Sequence, residues 1–515
     1  MDWKKLQNGS DIRGVAVEGV EGEDVNLTPE VAVIIARSFV KWLRRRVNGY
    51  LKIAVGRDSR ISGPELAEAV IKGICSEGAD AVDFALASTP AMFMCTIDPV
   101  EPCDAGIMLT ASHLPYNRNG LKFFTREGGL EKADISELLS IAAEEEKSAG
   151  DCGRKPLNSP GGHGAQSGAS ASGDGSGIAS KRDYMSEYAY FLTSYIRRNA
   201  GSERPLEGMK ILVDAGNGAG GFFASKVLEP LGADTSGSQF LEPDGMFPAH
   251  IPNPENAAAM ASVCEAVIKN KADLGIIFDT DVDRSAIVDK AGEPINRNDL
   301  IALISDIILR EHPGSAIVTD SITSTGLREF IESRGGVHHR FKRGYKNVIN
   351  ESKRLNTLGT ESWIGIETSG HCALRENHYL DDGAFLVAKL LVEAAKLAKR
   401  GRDLGSLIAD LRRPAESKEI RFRVLAENFA EYGRKVLDYV LANAPKEPGW
   451  SVEMPNYEGV RINCALPEQN GWFLLRLSLH DPVLPLNIES DTAGGVAKIE
   501  ALLRCLLAPF ADGLE

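Results

Sequence analysis

The sequence predicts a multidomain α/β protein, and three observations support this fold class. The chain has 515 residues, more than one hydrophobic core accommodates, so three or four domains are expected. Three segments, beginning near Leu51, Met209 and Ser315, share the order strand, polar loop, helix, glycine, strand. After about Pro414, strand-like runs follow one another without helical crossovers. These patterns predict three similar α/β domains with mixed sheets and a C-terminal α+β domain with an antiparallel sheet.

The same patterns set the expected domain boundaries. The four domains span residues 1–200, 201–312, 313–414 and 415–515, and the last ends in a helix, "GGVAKIEALLRCLLAPF". The stretch "SPGGHGAQSGASASGDGSGIAS" interrupts the first domain and is poor in apolar side chains, so ordering it would cost more entropy than burial could offset. We therefore expect a flexible surface insertion at about 146–182.

Composition excludes several classes of function. A formal net charge of -14 argues against nonspecific nucleic-acid binding, which requires a basic face. The sequence contains no run of 18 apolar residues, so no membrane-spanning helix is predicted. The eight cysteines include no C-x-x-C spacing, which favours a reducing compartment over a disulfide scaffold or a zinc site. The N-terminus lacks the apolar core of a secretory signal, so a cytoplasmic location is expected, or the plastid stroma if a transit peptide has been removed.

An acidic cluster follows the apolar strand in "DLGIIFDTDVDRSAIVD". Carboxylates at alternate positions point to one side of an extended segment, or converge if the chain turns. Three like charges this close repel one another unless a cation lies among them, and oxygen-only ligands suit Mg²⁺ completed by a phosphate oxygen. A solvated acidic turn is the alternative. The preceding strand and the following arginine favour a metal site formed by Asp279, Asp281 and Asp283.

A second polar cluster lies in "GIMLTASHLPYNRNGLKFF". Ser112 and His113 form a pair that, in many loops, only hydrogen-bonds the backbone. A serine nucleophile needs a base or a metal, and the chain has no G-x-S-x-G elbow that would indicate a hydrolase. The alternative interpretation is that Ser112 carries a phosphate, which a metal ion and arginines would neutralise.

Six motifs together resemble the α-D-phosphohexomutase family, which includes phosphoglucomutase and phosphomannomutase. They are "SDIRG", "TASHLPYNRNGLKF", "EPDGMFPAHIPNPE", "DTDVDR", "IETSGH" and "GWFLLRLSLHDP". They occur in the family's order and cover the chain nearly end to end. The resemblance implies four domains around a central cleft.

The resemblance also implies a role for each matching residue of the first two domains. Ser112 would be the phosphoserine that donates and recovers a phosphoryl group, with His113 and Lys122 as proton-transfer residues. Arg13 and Arg284 would flank its phosphate. The implied Mg²⁺ ligands are Ser112, through its phosphate, and the three carboxylates of Asp279, Asp281 and Asp283.

The third domain carries the motif that resembles the family's sugar-reading loop. In "GIETSGH", Glu367 and Ser369 would exchange hydrogen bonds with ring hydroxyls, and His371 would stand beside them. The stretch "FKRGYKN" is similar to the adjoining specificity loop of the glucose-type mutases, which makes Lys346 a further candidate for substrate binding.

The fourth loop departs from the family's commonest pattern, R-x-S-G-T-E-P. Arg476 and Ser478 are retained, so a guanidinium group and a hydroxyl are available to hold the distal phosphate. Leu479, His480 and Asp481 replace Gly, Thr and Glu, and His480 is a further substrate-binding candidate. This form resembles a branch found in plants and algae, some of them plastid proteins.

The predicted function is therefore a phosphohexomutase. It would interconvert hexose 1-phosphate and hexose 6-phosphate, of glucose or mannose, with Mg²⁺ as cofactor and glucose 1,6-bisphosphate as activator and intermediate. The expected partners are hexose phosphates, without nucleic acid or membrane, and the chain would act as a monomer or homodimer. Two alternatives stay open: a synthase that releases glucose 1,6-bisphosphate, and an inactive homologue that senses sugar phosphates.

Overall fold

The computed structural model describes residues 1–152, 176–478 and 481–515, and for 148–152 only the backbone. The chain divides into two compact units. One comprises Met1–Pro294 with Asp382–Val392, and the other comprises Ile295–Asp381 with Glu393–Glu515. Each unit contains two β-sheets. Among the described residues, no helix combines the length and hydropathy needed to cross a bilayer.

The first sheet of the first unit is mixed, as the sequence predicts. Its strands are β1 (Gln7–Asn8), β2 (Asp11–Val15), β3 (Lys52–Arg57), β4 (Asp80–Leu86), β5 (Ala105–Leu109), β6 (Arg118–Thr125), β7 (Gly128–Gly129) and β8 (Ala179–Lys181). The order is β1-β2-β6-β5-β3-β4-β8, with β7 beside β6. Strands β3, β4, β5 and β8 run parallel, whereas β1, β2 and β6 pair antiparallel.

Helices cover the faces of this first sheet. They are α1 (Pro29–Arg44), α2 (Gly63–Ser76), α3 (Thr89–Met94), α4 (Lys132–Cys152) and α5 (Tyr184–Ala200). Helix α1 begins where Thr28 Oγ1 accepts the amide of Val31 at 3.4 Å and Pro29 supplies a fixed φ. The ring centroid of Phe39, on this helix, lies 4.8 Å from that of Phe123 on β6, and both side chains are buried in the core. The predicted unit near Leu51 is confirmed as β3-α2-β4.

The predicted insertion at 146–182 has different ends in the structure. Helix α4 continues to Cys152, and Ala179–Lys181 form strand β8, which pairs in parallel with β4. All three residues of β8 are exposed, so this edge strand pairs through its backbone and needs no apolar side chains, which composition alone does not reveal. Gly177 permits the approach, because a Cβ atom would stand 1.9 Å from Ala79 O. The rest of the insertion, 153–175, lies outside the described residues.

The second sheet of the first unit has four strands in the order β12-β11-β10-β9. They are β9 (Ile211–Asp214), β10 (Leu274–Phe278), β11 (Ser285–Asp289) and β12 (Pro294–Ile295), with helix α6 (Ala257–Asn270) packed on them. The predicted strand–helix–strand unit near Met209 is only partly correct. A π-helical turn, Phe223–Leu228, replaces the expected α-helix, and isolated bridges at Asp234 and Gln239 replace the second strand.

The second unit opens with a mixed five-stranded sheet in the order β14-β13-β15-β16-β17. Its strands are β13 (Ala316–Thr319), β14 (Val337–Arg340), β15 (Ser362–Ile366), β16 (Cys372–Leu374) and β17 (Leu380–Asp381). Its helices are α7 (Arg297–Glu311), α8 (Thr325–Ser333), α9 (Tyr345–Thr357) and α10 (Gly383–Ala398), of which residues 383–392 belong to the first unit. The predicted unit near Ser315 is confirmed as β13-α8-β14.

The last sheet is wholly antiparallel, as predicted, in the order β18-β22-β21-β20-β19. Its strands are β18 (Glu416–Arg423), β19 (Trp450–Val452), β20 (Val460–Cys464), β21 (Gly471–Leu475) and β22 (Val483–Ser490). The predicted closing helix is α12 (Gly495–Leu506). The sequence interpretation missed α11 (Phe429–Asn443), which buries Gly433, Val436 and Val440 at helical spacing after an Asn428 N-cap.

Candidate active site

Ser112 lies in a tight loop directly after β5. Its φ of +52° is a left-handed conformation that is unusual for a serine, and its amide donates to Thr110 Oγ1 at 2.9 Å. The side chain is buried. Its Oγ lies 2.9 Å from Arg284 Nη2, 3.3 Å from Asp279 Oδ2 and 3.4 Å from His113 Nδ1. The loop therefore holds one hydroxyl among a cation, a carboxylate and an imidazole.

The three aspartates converge in the connection between β10 and β11. The chain turns at Val282, whose φ is +68°, so the carboxylates do not alternate along an extended segment. One oxygen of each of Asp279, Asp281 and Asp283 lies within 4.8 Å of the others, and all three residues are buried. Asp281 Oδ1 is buried and accepts no hydrogen bond from any described residue. This arrangement suits a small hard cation such as Mg²⁺.

Two cations partly neutralise the buried carboxylates. Arg284 donates to Asp279 Oδ2 through Nε at 3.0 Å and Nη2 at 2.8 Å. Burial lowers the pKa of Arg284, but Asp279 and Asp283 outweigh it and raise that pKa above its usual value. Lys122, on β6, lies 3.0 Å from Asp281 Oδ2 and 2.5 Å from Asp283 Oδ2. Three carboxylates thus face two fixed positive charges, which leaves a net negative site for a cation.

The structure places the other predicted residues of this cluster close by. His113 Nδ1 lies 2.8 Å from Arg284 Nη2, so its imidazole is held beside the Ser112 hydroxyl. Arg13 stands on β2 opposite Gly120 of β6, two residues from Lys122, and pairs with Asp11 at 2.9 Å. Arg13 and Lys122 therefore lie in the same region of the sheet.

Arg60, which was not identified from the sequence, is fully buried and hydrogen-bonds the backbone of the Ser112 loop. Arg60 donates to the backbone carbonyls of Ser112, Leu114, Pro115 and Arg118, at 2.8 to 3.0 Å for the last three. Its Nε also pairs with Asp58 at 3.2 Å, and burial raises the pKa of that carboxyl to about 6. The available signal was "GRDSR" after β3, because polar residues at the carboxyl ends of parallel strands commonly face a site.

Two further residues position the connection between β10 and β11, residues 279–284, which we call the carboxylate loop. Thr89, at the start of α3, was not identified from the sequence. Its amide donates to Asp281 O at 2.9 Å, and its Oγ1 donates to Asp281 Oδ2 at 2.5 Å. Asn253 Oδ1 accepts Arg284 Nη1 at 3.3 Å. Asn253 lies in the motif "EPDGMFPAHIPNPE", to which no individual role had been assigned.

In the second unit, the residues predicted to read the sugar lie together. Glu367 Oε1 accepts the amide of Gly344 at 2.5 Å, and Ser369 Oγ lies 3.4 Å from Glu367 Oε2. Burial first, and then the neighbouring Asp320, raise the pKa of Glu367 to about 7. His371 Nδ1 lies 2.6 Å from Asp381 Oδ2. These contacts fix the carboxylate and the imidazole in one loop.

Lys346 belongs to the neighbouring segment. It occupies the first turn of α9, next to Tyr345, whose ring stacks on that of His371 with centroids 5.2 Å apart. The segment "FKRGYKN" and the loop "GIETSGH" are therefore adjacent in this unit. Arg343, a residue the sequence interpretation did not single out, lies 3.6 Å from Asp320 and donates its amide to Glu458 at 3.2 Å.

The fourth loop leaves β21 with a half-buried arginine. Arg476 Nε is buried and has no hydrogen-bond partner among the described residues. Burial first, and then the nearby Arg343, lower the pKa of Arg476. Ser478 Oγ accepts the amide of Asp481 at 3.2 Å. The third candidate of this loop, His480, lies outside the described residues.

Family comparisons match most of the chain. The description "Phosphoglucomutase/phosphomannomutase, alpha/beta/alpha domain I" matches residues 4–149, its domain II counterpart matches 186–292, and its domain III counterpart matches 296–414. All the candidate residues from Arg13 to His371 fall within these matches.

Individual relatives are similar along nearly the whole length. A phosphomannomutase/phosphoglucomutase of Pseudomonas putida is 28% identical over 505 residues, covering 98% of this chain and 96% of the relative. A phosphoglucomutase/phosphomannomutase of Thermococcus kodakarensis is 30% identical over 478 residues, covering 92% and 93%. The crystal structure of a phosphoglucomutase/phosphomannomutase family protein from Burkholderia thailandensis superposes with a TM-score of 0.76 at 26% identity, covering 98% of both chains.

Proposed function

The chain belongs to the phosphoglucomutase/phosphomannomutase family, and from this we propose that it interconverts hexose 1-phosphates and hexose 6-phosphates. The observation that carries the proposal is the buried cluster of Ser112 with three carboxylates and Arg284. Phosphoryl transfer depends mainly on positioning and charge neutralisation, and this cluster supplies both. The names of the relatives indicate glucose and mannose phosphates as the substrates.

We propose Mg²⁺ as the cofactor. Its protein ligands would be Asp279, Asp281, Asp283 and the phosphate of Ser112, and the buried acceptor Asp281 Oδ1 supports this set. When bound, the ion withdraws charge from the transferring phosphoryl group. Arg284 already donates 2.9 Å from Ser112 Oγ, so the guanidinium group is in place to hold the serine phosphate.

The proposed reaction has two symmetric transfers. In the first, the bond between Ser112 Oγ and phosphorus breaks while a sugar hydroxyl oxygen bonds to that phosphorus, which gives a hexose 1,6-bisphosphate. Lys122 and His113 take and return the hydroxyl proton. After the intermediate turns around, its other phosphoryl group passes to Ser112 Oγ. Glucose 1,6-bisphosphate would thus act as intermediate and activator, because it also restores phosphate to Ser112.

The remaining predicted residues would recognise the substrate. Glu367 and Ser369 would accept and donate hydrogen bonds to ring hydroxyls, with His371 and Lys346 beside them. Arg476 and Ser478 would hold the distal phosphate, which the unmatched Nε of Arg476 supports. These two residues would bind the distal phosphate in both orientations of the intermediate.

The proposal is tested by a turnover assay with glucose 1-phosphate and mannose 1-phosphate, with and without added glucose 1,6-bisphosphate. We expect conversion to the 6-phosphates, stimulation by bisphosphate, and phosphate on Ser112 detected by mass spectrometry. Net release of bisphosphate on each turnover would instead identify a synthase, which the altered loop "RLSLHDP" would favour by weakening the hold on the intermediate. A folded, phosphorylated protein without turnover would contradict the proposal and indicate a sugar-phosphate sensor.

Arg476→Ala should weaken binding in both directions. Loss of a charge-assisted hydrogen-bond donor to phosphate is expected to raise KM about ten-fold to a hundred-fold. The increase should appear for glucose 1-phosphate and for glucose 6-phosphate alike, because the residue would hold whichever phosphate is not reacting. Arg421→Ala, which removes an exposed arginine paired with Glu419 in the same sheet, is the matched control and should leave KM unchanged. An effect on only one substrate would refute the two-orientation grip.

A further inference from the structure

A second cavity of the first unit shares no residue with the Ser112 cluster. Its volume is about 540 Å³, which is in the range of sites for small organic ligands. The end of β4, the segment between β8 and α5, and the glycine-rich loop after β9 enclose it. Its apolar walls are formed mainly by Phe84, Leu86, Met185, Phe222 and Leu241.

Two lysines, Lys181 and Lys226, line this cavity together with Asp83 and Asp183. Lys181 has no ion-pair partner among the described residues. Lys226 Nζ lies 3.5 Å from Asp183 Oδ2, across an exposed pair that contributes little, and donates to Ser186 Oγ at 2.7 Å. The carboxylate of Asp183 is held by its own helix cap, and that of Asp83 accepts a backbone amide two residues on, at 2.8 Å. The two lysines can therefore donate hydrogen bonds to a ligand, whereas the two carboxylates already accept bonds from the protein.

The third cation that lines the cavity, Arg182, is already paired with a carboxylate. Arg182 donates to both oxygens of Glu187, at 2.8 and 2.6 Å, and its guanidinium group lies over the Tyr184 ring at 4.9 Å. It stiffens the wall between β8 and α5. The cavity thus combines an apolar interior with two lysine ammonium groups that can donate to an anionic group.

One wall of the cavity is hydrogen-bonded to the carboxylate loop, and a second is joined to it through a short stretch of chain. Ala219 donates its amide to Thr280 O at 2.8 Å, and Gly218 approaches so closely that a Cβ atom would stand 2.7 Å from that oxygen. On the other side, Leu86 ends β4 three residues before Thr89, whose amide donates to Asp281 O at 2.9 Å. A ligand that displaces either wall would move Thr280 or Asp281.

We propose that this cavity binds an amphipathic anion, with an aromatic or aliphatic body and one carboxylate, sulfonate or phosphate group, and that its occupancy adjusts the carboxylate loop. The apolar walls would hold the body of the ligand, and Lys181 and Lys226 would hold its charge. A hexose phosphate lacks the apolar body, so the site differs from the one that the proposed function requires.

Fluorescence titration with 8-anilinonaphthalene-1-sulfonate, an aromatic sulfonate, tests the binding. The Lys181→Glu/Lys226→Glu variant reverses both charges, and Leu241→Trp fills the cavity. Each should weaken binding at least about ten-fold, the equivalent of one lost charge-assisted contact. The control Lys269→Glu/Lys498→Glu makes the same change in net charge elsewhere and should bind as the unaltered protein does. Uncharged N-phenyl-1-naphthylamine should lose binding only in Leu241→Trp. Equal sulfonate affinity in all variants would overturn the site.

The coupling is tested on the same proteins. Saturating sulfonate should change amide hydrogen exchange of residues 279–284 and change hexose phosphate turnover at least two-fold, and Leu241→Trp should abolish both responses. The exchange measurement needs no substrate, so its outcome is independent of the proposed function. Binding that leaves exchange in 279–284 unchanged would overturn the coupling.

Discussion

Asp281→Asn is expected to lower hexose phosphate turnover by about a hundred-fold to a thousand-fold, with Mg²⁺ binding weakened in parallel. The substitution keeps the shape of the side chain but removes one of three buried charges and the unmatched acceptor Oδ1. The fold should persist, because losing a like charge relieves repulsion and Lys122 keeps its contact with Asp283 at 2.5 Å. Turnover is measured across a Mg²⁺ titration, and ion binding is measured by calorimetry without substrate.

Asp289→Asn is the matched control. Asp289 ends β11, the strand that follows the carboxylate loop, and its Oδ1 accepts the amides of Ala291 and Glu293, both at 2.9 Å. An asparagine oxygen can accept the same two bonds, so activity and melting temperature should stay near those of the unaltered protein. If Asp281→Asn were fully active at limiting Mg²⁺, the carboxylate loop would not be the metal site.

The sequence predicted the fold class because periodicity is a local signal. The confirmed units β3-α2-β4 and β13-α8-β14 both show the full strand–helix–strand pattern within about thirty-five residues. The errors arose where local composition and tertiary pairing disagree. Strand β8 is exposed on both faces and is ordered by backbone pairing with β4, which leaves no apolar signature.

The candidate site could be predicted only where its residues belong to a short continuous sequence motif. Ser112 and the three aspartates stand in motifs, so their side chains could be named, although the distance of 3.3 Å between Ser112 Oγ and Asp279 Oδ2 could not be predicted. Arg60 and Thr89 act through backbone carbonyls and a single carboxylate of distant segments. Such contacts depend on how β3, β5 and β10 are arranged in space, which no spacing in the sequence encodes.

Arg60→Ala is expected to slow phosphoryl transfer about a hundred-fold, although Arg60 does not contact Ser112 Oγ. The guanidinium group bonds four carbonyls of the Ser112 loop and Asp58, so its removal leaves buried acceptors unmatched and releases the loop. A displacement of about 1 Å at a reacting group is enough for a loss of this size. The rate of Ser112 phosphorylation by glucose 1,6-bisphosphate, followed in a single turnover, measures the effect directly.

Chemical rescue separates positioning from simple loss of stability. Arg60→Ala leaves a buried space shaped for a planar cation and lined by the same carbonyls, so millimolar guanidinium should restore much of the phosphorylation rate. Arg60→Lys should gain nothing from guanidinium, because its side chain still fills the space, and its single ammonium group cannot match the planar fork. Arg57→Ala is the control: Arg57 ends β3, and its side chain donates to Asp58 O at 3.3 Å and to no other described residue, so its loss should be small and insensitive to guanidinium. A folded Arg60→Ala protein with an unaltered phosphorylation rate would show that the loop holds its geometry without this residue. A slow rate that guanidinium does not improve would mean that the loss comes from wider unfolding, since the empty space would still accept the ion if the loop around it were intact.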